Sequence, residues 1–200
     1  ESRITNHQPP ITPEDIYRAA VRMIMRLVVV LFAESREGLV PRDNSAFHRA
    51  YSLQGLREQL ERISQHKLVG SVGAWPRVLA LIRLIHQGSS HPALSVPAYG
   101  GELFAPGSAN DREGMKRALH LFETACFGAN VMTDYQVRQI LDLLTRTRVK
   151  IRQGHANMLV PAPVDFSSLG SEYIGILYEG LLDFELRCAV EKEPIVFLAV

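Results

Sequence analysis

A chain of 200 residues, 46% hydrophobic and 22% charged, fits one globular domain of ordinary size and is too apolar for a disordered segment. Its 22 basic and 21 acidic residues leave a net charge of +1, so no global field announces a nucleic acid or a membrane surface, and any basic site must be local. No stretch nears the ~20 apolar residues of a membrane span, and the polar opening "ESRITNHQPP" shows no signal-peptide pattern, so a cytoplasmic protein with no membrane partner is expected.

Residues 1–11 read as a polar tail closed by Pro9 and Pro10. "TPEDIYRAAVRMIMRLVVVLFAES" then opens with a strong helix start. Thr12 can cap, Pro13 suits the first helical position, and Glu14 and Asp15 favour the positive helix end. Ile16, Ala20, Met23, Leu27 and Leu31 recur at helical spacing, as do Tyr17, Ile24, Val28 and Phe32. The second half is apolar nearly all round, which predicts a helix through the domain centre. "EGLVPRDNSAF" is a turn-rich connection. "SLQGLREQLERISQHK" predicts a second helix capped by Ser52, with Leu53, Leu56, Leu60 and Ile63 inward. "AWPRVLALIRLIHQG" predicts a third, with Pro76 in the first turn, Val78, Leu79, Ile82 and Ile85 inward, and Gly88 as its stop.

The stretch "SSHPALSVPAYGGELFAPGSAND" is longer than most loops in compact domains, so it is either functional or packed as a coil over the helices. "DREGMKRALHLFETACFG" predicts a fourth helix stopped near Gly128. "MTDYQVRQILDLLTRTRV" predicts a fifth, with Thr133 and Gln136 at capping-box spacing and Val137, Ile140, Leu141 and Leu144 inward. After it the period changes. "RTRVKIRQGHANMLVPAPV" alternates like a hairpin that turns between Gln153 and Asn157. "LGSEYIGILYEGLLDFEL" predicts a sixth helix, Leu169 to Leu186. "RCAVEKEPIVFLAV" reads as two short strands joined at Glu191 to Glu193. The fold expected is mostly α: about six helices in a bundle-like domain over 12–186, a few short strands late in the chain, and a short β extension over 187–200.

Few residues offer chemistry. Cys126 and Cys188 lie far apart among apolar neighbours and read as buried thiols of a reducing compartment. His86 and His91 are the one close pair among seven histidines, without a Cys or carboxylate at ligand spacing, so no metal site is expected. There is no Gly-x-Ser-x-Gly elbow and no phosphate loop; "AYGGELF" reads as a tight turn. An enzyme complete within these residues is therefore not expected. The basic feature is "RTRVKIR". In an extended strand Arg146, Arg148, Lys150 and Arg152 share one face, with no acid among them, and such a row can lie along a phosphate backbone. The plainer alternative is the solvated face of an edge strand, where cations discourage aggregation.

The sixth helix carries a broad apolar stripe of Tyr173, Ile174, Leu177, Tyr178, Leu181 and Leu182. It also carries Gly175 and Gly180, each costing roughly 0.5–1 kcal/mol relative to Ala. Core packing explains at least half of the stripe, and one side of the helix is left for a neighbouring domain. The glycines, off its centre, fit a second side on which another backbone comes close.

"VDFSSLGSEYIGILYEGLLDFELR" resembles the L-G-x-x-Y-E-x-L-L helix of restriction–modification adenine DNA methyltransferases, through Leu169, Gly170, Ile174, Tyr178, Glu179, Leu181 and Leu182. The long single-polypeptide type is most similar, including type IIG enzymes and the methylases of phage-defence systems such as BREX and DISARM. "IYRAAVRMIMRLVVVLFAESREGLVPRDN", "AWPRVLALIRLIHQG", "VPAYGGELF" and "LLTRTRVK" resemble that family's other blocks in matching order. The resemblance implies an N-terminal helical module preceding a methylase domain. It implies S-adenosylmethionine as cofactor of the parent protein, double-stranded DNA as its partner, and methyl transfer to adenine N6, with the base flipped from the duplex. No cofactor and no catalytic residue is assigned within these 200 residues. Tyr173, Gly175, Tyr178, Glu179 and Gly180 become the candidate domain junction, with Tyr178 as anchor and Glu179 pairing across it. The absent initiator Met and the apolar run "PIVFLAV" lead us to expect a piece of a longer polypeptide. The alternative is a protein-interaction module that docks a partner subunit of a phage-defence complex without touching DNA.

Overall fold

The structure is a computed structural model and describes residues 9–36, 44–126, 131–153, 156–186 and 198–199. Among these residues the fold is mostly α, as expected, with eight helices and three two-stranded sheets. α1 (Pro13–Ser35) starts as the sequence predicts. Thr12 accepts from the Asp15 N–H, the Asp15 carboxylate accepts from the Thr12 N–H, and Pro13 sits in the first turn. Ala19, Met23, Leu27, Val30 and Leu31 bury one long face, while Ile16, expected inside, is 39% exposed because the first turns lie at the edge of the domain. Pro9 and Ile11, assigned to a tail, are tied down: the Pro9 carbonyl accepts from the buried Arg117 guanidinium at 2.7 Å, and Ile11 packs on the core.

The single helix expected over 52–67 is two pieces, preceded by a third that the sequence did not suggest. α2 (Ser45–Ala50) is capped by Asn44, whose side chain accepts from the Phe47 N–H at 3.0 Å, and Phe47 is buried. α3 (Leu53–Glu61) is capped by Ser52, and Leu53, Leu56 and Leu60 are buried as predicted. The chain then turns, which leaves Ile63 exposed, and α4 (Gln65–Val69) brings Leu68 back into the core.

Glu34, near the end of α1, completes the start of α3. Its carboxylate accepts from the Leu53 and Gln54 N–H groups and from the Ser52 hydroxyl. Burial nevertheless raises its pKa above the ordinary glutamate range, against the lowering effect of those bonds. A raised folded-state pKa contributes stability that is present below the unfolded value and is lost as pH rises through the folded value. Glu34→Gln removes this contribution. Relative to the parent, the variant should therefore gain stability as pH climbs from the ordinary carboxylate range towards neutrality. Urea midpoints of both proteins across that range measure it; a constant offset would show that Glu34 does not titrate differently on folding.

α5 (Ala74–Gln87) buries Val78, Leu79, Ile82 and Ile85 as predicted and stops at Gly88, where φ is +74°. A side chain there would meet the Ala98 nitrogen at 2.7 Å and the Val96 oxygen at 2.8 Å, so glycine is required twice over. Part of the stretch read as irregular is a hairpin, β1 (Ser89–His91) with β2 (Leu94–Val96), antiparallel. The remainder is coil packed over the helices. The Tyr99 N–H donates to the Ile85 carbonyl, Gly100 and Gly101 take positive φ ahead of a turn over 102–104 rather than forming the turn themselves, and Phe104 is buried.

Arg26 holds this coil down. It is fully buried on α1 and donates to the Leu103 carbonyl, the Ala105 carbonyl and the Glu123 carboxylate, each at 2.7 Å. The other Glu123 oxygen accepts from the Gly107 N–H. α6 (Gly114–Thr124) lies along α1 and ends before Gly128, which is outside the described residues, as is Cys188. Cys126, expected to be buried, is partly exposed. α7 (Asp134–Thr145) begins with the predicted box: Thr133 accepts from the Gln136 N–H, and Gln136 accepts from the Thr133 N–H. Val137 and Leu141 are buried; Ile140 and Leu144 are only partly covered.

The predicted hairpin follows without a break. β3 (Arg146–Gln153) pairs antiparallel with β4 (Ala156–Pro163). α8 (Glu172–Leu182) is shorter at both ends than the helix expected from Leu169 to Leu186: Gly170 precedes it, and Glu185–Leu186 form β5, paired with β6 (Leu198–Ala199). The stretch 187–197, which includes the strand and turn expected there, lies outside the described residues. No described helix is long and apolar enough to cross a membrane.

Candidate functional site

α8 is tethered at both ends, and none of its side chains is buried. The Arg36 guanidinium, at the end of α1, donates to the Ser167 carbonyl at 3.2 Å and to the Leu169 carbonyl, while it sits over the Phe32 ring. Phe166 is buried beside this anchor, and Val164 and Leu169 pack on the core. Between them, Asp165 accepts from the Ser167 N–H and hydroxyl, and these two bonds hold its carboxyl below the usual range. At the far end the Tyr17 hydroxyl donates to the Leu181 carbonyl at 2.5 Å. Sequence periodicity placed Tyr17 on an inner face of α1 but did not connect it to α8, 164 residues away.

Of the residues of α8, only Ile174 and Leu181 are partly covered, and none is buried. They stand seven apart, two turns along one line of the helix. The rest of the stripe faces outward: Tyr173 is 55% exposed, Leu177 41%, Tyr178 46% and Leu182 50%, with Ile176 at 60% on top. Core packing therefore does not account for the stripe among the described residues. A Cβ added at Gly175 or at Gly180 meets nothing within 4 Å among the described residues. Glu179 is exposed and makes no ion pair with a described residue.

Between α8 and α1 runs a cleft of about 920 Å³. Met25, Val29, Leu103 and Met115 line it from the core side, and Ile174, Gly175, Tyr178 and Leu182 from α8. Its charged rim is largely neutralised from within: Arg18 pairs with Glu14 at 2.6 Å, and Arg22 with Glu102 at 3.2 Å. Asp15 is committed to capping α1, and those Thr12 hydrogen bonds hold its carboxyl low. Such a cleft suits an apolar, uncharged surface better than an ionic ligand.

The second candidate, the cationic row, is divided. Arg146 is taken out of it by acids from elsewhere in the chain, pairing with Glu61 of α3 and with Asp142 of α7 at 3.6 Å. The hydrogen bond from Arg146 is the main cause that holds the Glu61 carboxyl below its usual range. Arg57 and Arg138 join the same cluster, at 3.2 Å from Glu61 and 3.5 Å from Asp142 respectively. Arg146 thus pins the base of the hairpin to the helices. Arg148 and Lys150 are exposed on the same strand face and pair with no described acid, and Arg152 occupies the next position on that face by register. The opposite face, with Val149 43% and Met158 47% exposed, is also uncovered, so β3 and β4 project as a ribbon.

Compared with models of known families, with curated proteins and with solved structures, the chain matches none.

Proposed function

We propose that this chain is the non-catalytic N-terminal module of an adenine-N6 DNA methyltransferase of restriction–modification or phage-defence type, which braces the methylase domain through α8. The proposal joins two things: the resemblance carried by the tyrosine–glutamate helix, and the uncovered apolar surface of that helix. Large apolar side chains on one short helix, next to two glycines with open space above them, mark a docking face rather than a solvent face. On this reading the methylase domain covers α8 and fills the cleft beside it, Tyr178 anchors the junction, and Glu179 pairs across it. S-adenosylmethionine and the catalytic residues belong to that neighbouring domain. The enzyme works in the cytoplasm on double-stranded DNA, and a contribution from this module to DNA backbone contact falls to Arg148, Lys150 and Arg152, since Arg146 is already paired.

Gly180→Leu tests the junction. Among the described residues nothing lies within 4 Å of where a Cβ at Gly180 would stand, and glycine is the weaker helix former, so the module should fold as well as before or slightly better. A close inter-domain contact would be overpacked by ~1–3 kcal/mol, which lowers adenine methylation by the full-length polypeptide about tenfold or more. Undiminished methylation, measured as N6-methyladenine in DNA, would remove the junction role.

The withdrawal of Arg146 and the neutral rim of the cleft favour one other reading, a module that docks a partner subunit of a phage-defence complex without touching DNA.

A further inference from the structure

The two outer edges of the ribbon differ in a way that selects a partner. The Val164 N–H donates to the Thr145 carbonyl at 2.8 Å, so residues 145 and 164 form a hydrogen-bonded pair. Antiparallel pairs alternate, so 147 with 162 and 149 with 160 are also hydrogen-bonded. Arg146, Arg148, Lys150 and Arg152 then turn their backbone N–H and C=O groups away from β4. The Arg146 N–H accordingly goes to the Asp142 carbonyl instead. On β4 the outward positions are Asn157, Leu159, Pro161 and Pro163, and the two prolines have no N–H to offer. One edge of the ribbon is thus closed to another strand at half its positions. The edge of β3 is open, and no third strand lies beside it among the described residues.

We propose that the free edge of β3 is a strand-addition site for an extended acidic segment of a protein partner. Backbone hydrogen bonds to Arg148, Lys150 and Arg152 would supply the pairing. The partner residues directly opposite share the cationic face, so carboxylates there meet Arg148 and Lys150, and β-branched residues between them lie beside Thr147 and Val149. A second copy of this chain is the wrong occupant, because two β3 edges side by side set cation against cation. The site stands on the strand edge alone and holds whether or not a methylase domain adjoins α8.

The probe is a labelled peptide of alternating Glu and Val, titrated into the 200-residue chain and read by fluorescence anisotropy. Three comparisons give the result its meaning: the same peptide N-methylated on its Glu residues, the variant Lys150→Pro, and a labelled DNA duplex. Lys150→Pro removes one outward donor and leaves the β3–β4 ladder intact, as Pro161 and Pro163 already do on β4. Strand addition predicts binding that weakens about tenfold with Lys150→Pro and is abolished by N-methylation, since each lost backbone bond and its desolvated partner cost affinity. Equal binding of the N-methylated peptide would show charge attraction only and overturn the proposal. So would failure of the unmodified peptide to bind. Duplex binding that is tighter than the peptide's and displaces it would overturn it in favour of the DNA backbone, for which Lys150→Pro also removes a cation. If Lys150→Pro loses its far-UV dichroism, the N-methylated peptide on the unaltered chain decides alone.

Discussion

Replacing Arg26 by alanine is expected to destabilise the chain by about 3–5 kcal/mol, the range for removing one partner of a buried ion pair. Arg26 is fully buried, and its desolvation is tolerated only because every face of the guanidinium has an acceptor: the carbonyls of Leu103 and Ala105 and the Glu123 carboxylate. Removing it takes this donor from all three in a part-buried setting, and Glu123 keeps only the Gly107 N–H. Arg26→Met restores volume but not donors, so it should recover little. Glu123→Gln should cost less, about 1–2 kcal/mol, because an amide oxygen can still accept from Arg26 or from the Gly107 N–H. Urea unfolding followed by the fluorescence of the one tryptophan measures all three. A loss below about 1 kcal/mol for Arg26→Ala would mean that the coil does not depend on this residue. The effect reaches the candidate site, since Leu103, held by Arg26, lines the cleft beside α8.

Trp75→Ala should cost a similar amount, about 3–5 kcal/mol, by a different route. Trp75 is 2% exposed at the start of α5, and its indole N–H donates to the Phe122 carbonyl at 2.8 Å near the end of α6. Alanine leaves a large cavity where two helices meet, and the Phe122 carbonyl keeps only the Ala125 N–H as donor, at 3.3 Å. Trp75→Phe keeps most of the volume and loses the hydrogen bond, so about 1 kcal/mol is expected from that bond. For a domain of this size each kcal/mol moves Tm by roughly 2–4 °C, so the alanine variant should melt roughly 6–20 °C lower by far-UV circular dichroism. A fall of only a degree or two would mean that the core collapses around the missing ring.

The features legible in the sequence were those made by neighbours along the chain. The Thr12 and Thr133 caps, the stop at Gly88 and the β3–β4 hairpin each depend on residues a few positions apart, and each stands where the sequence puts it. The break after Glu61 was not legible, because periodicity continues through Ile63 while packing prefers to turn the chain and bury Leu68. In the sequence the cationic row is unopposed, because no acid stands within it. Its first member is neutralised by Glu61, which lies 85 residues away.

By itself, then, the sequence determined the starts at Thr12 and Thr133, the stop at Gly88, the alternation of β3 and β4 and the apolar stripe of α8, because capping, φ preferences and side-chain periodicity act over one or two turns. Only the tertiary structure decided which of those surfaces were covered. Whether Arg146 is free, whether Arg26 can be buried, and whether the stripe of α8 meets a core or faces outward are questions of what arrives from elsewhere in the chain. Burial and charge pairing depend on contacts between distant residues, and local pattern carries no record of them.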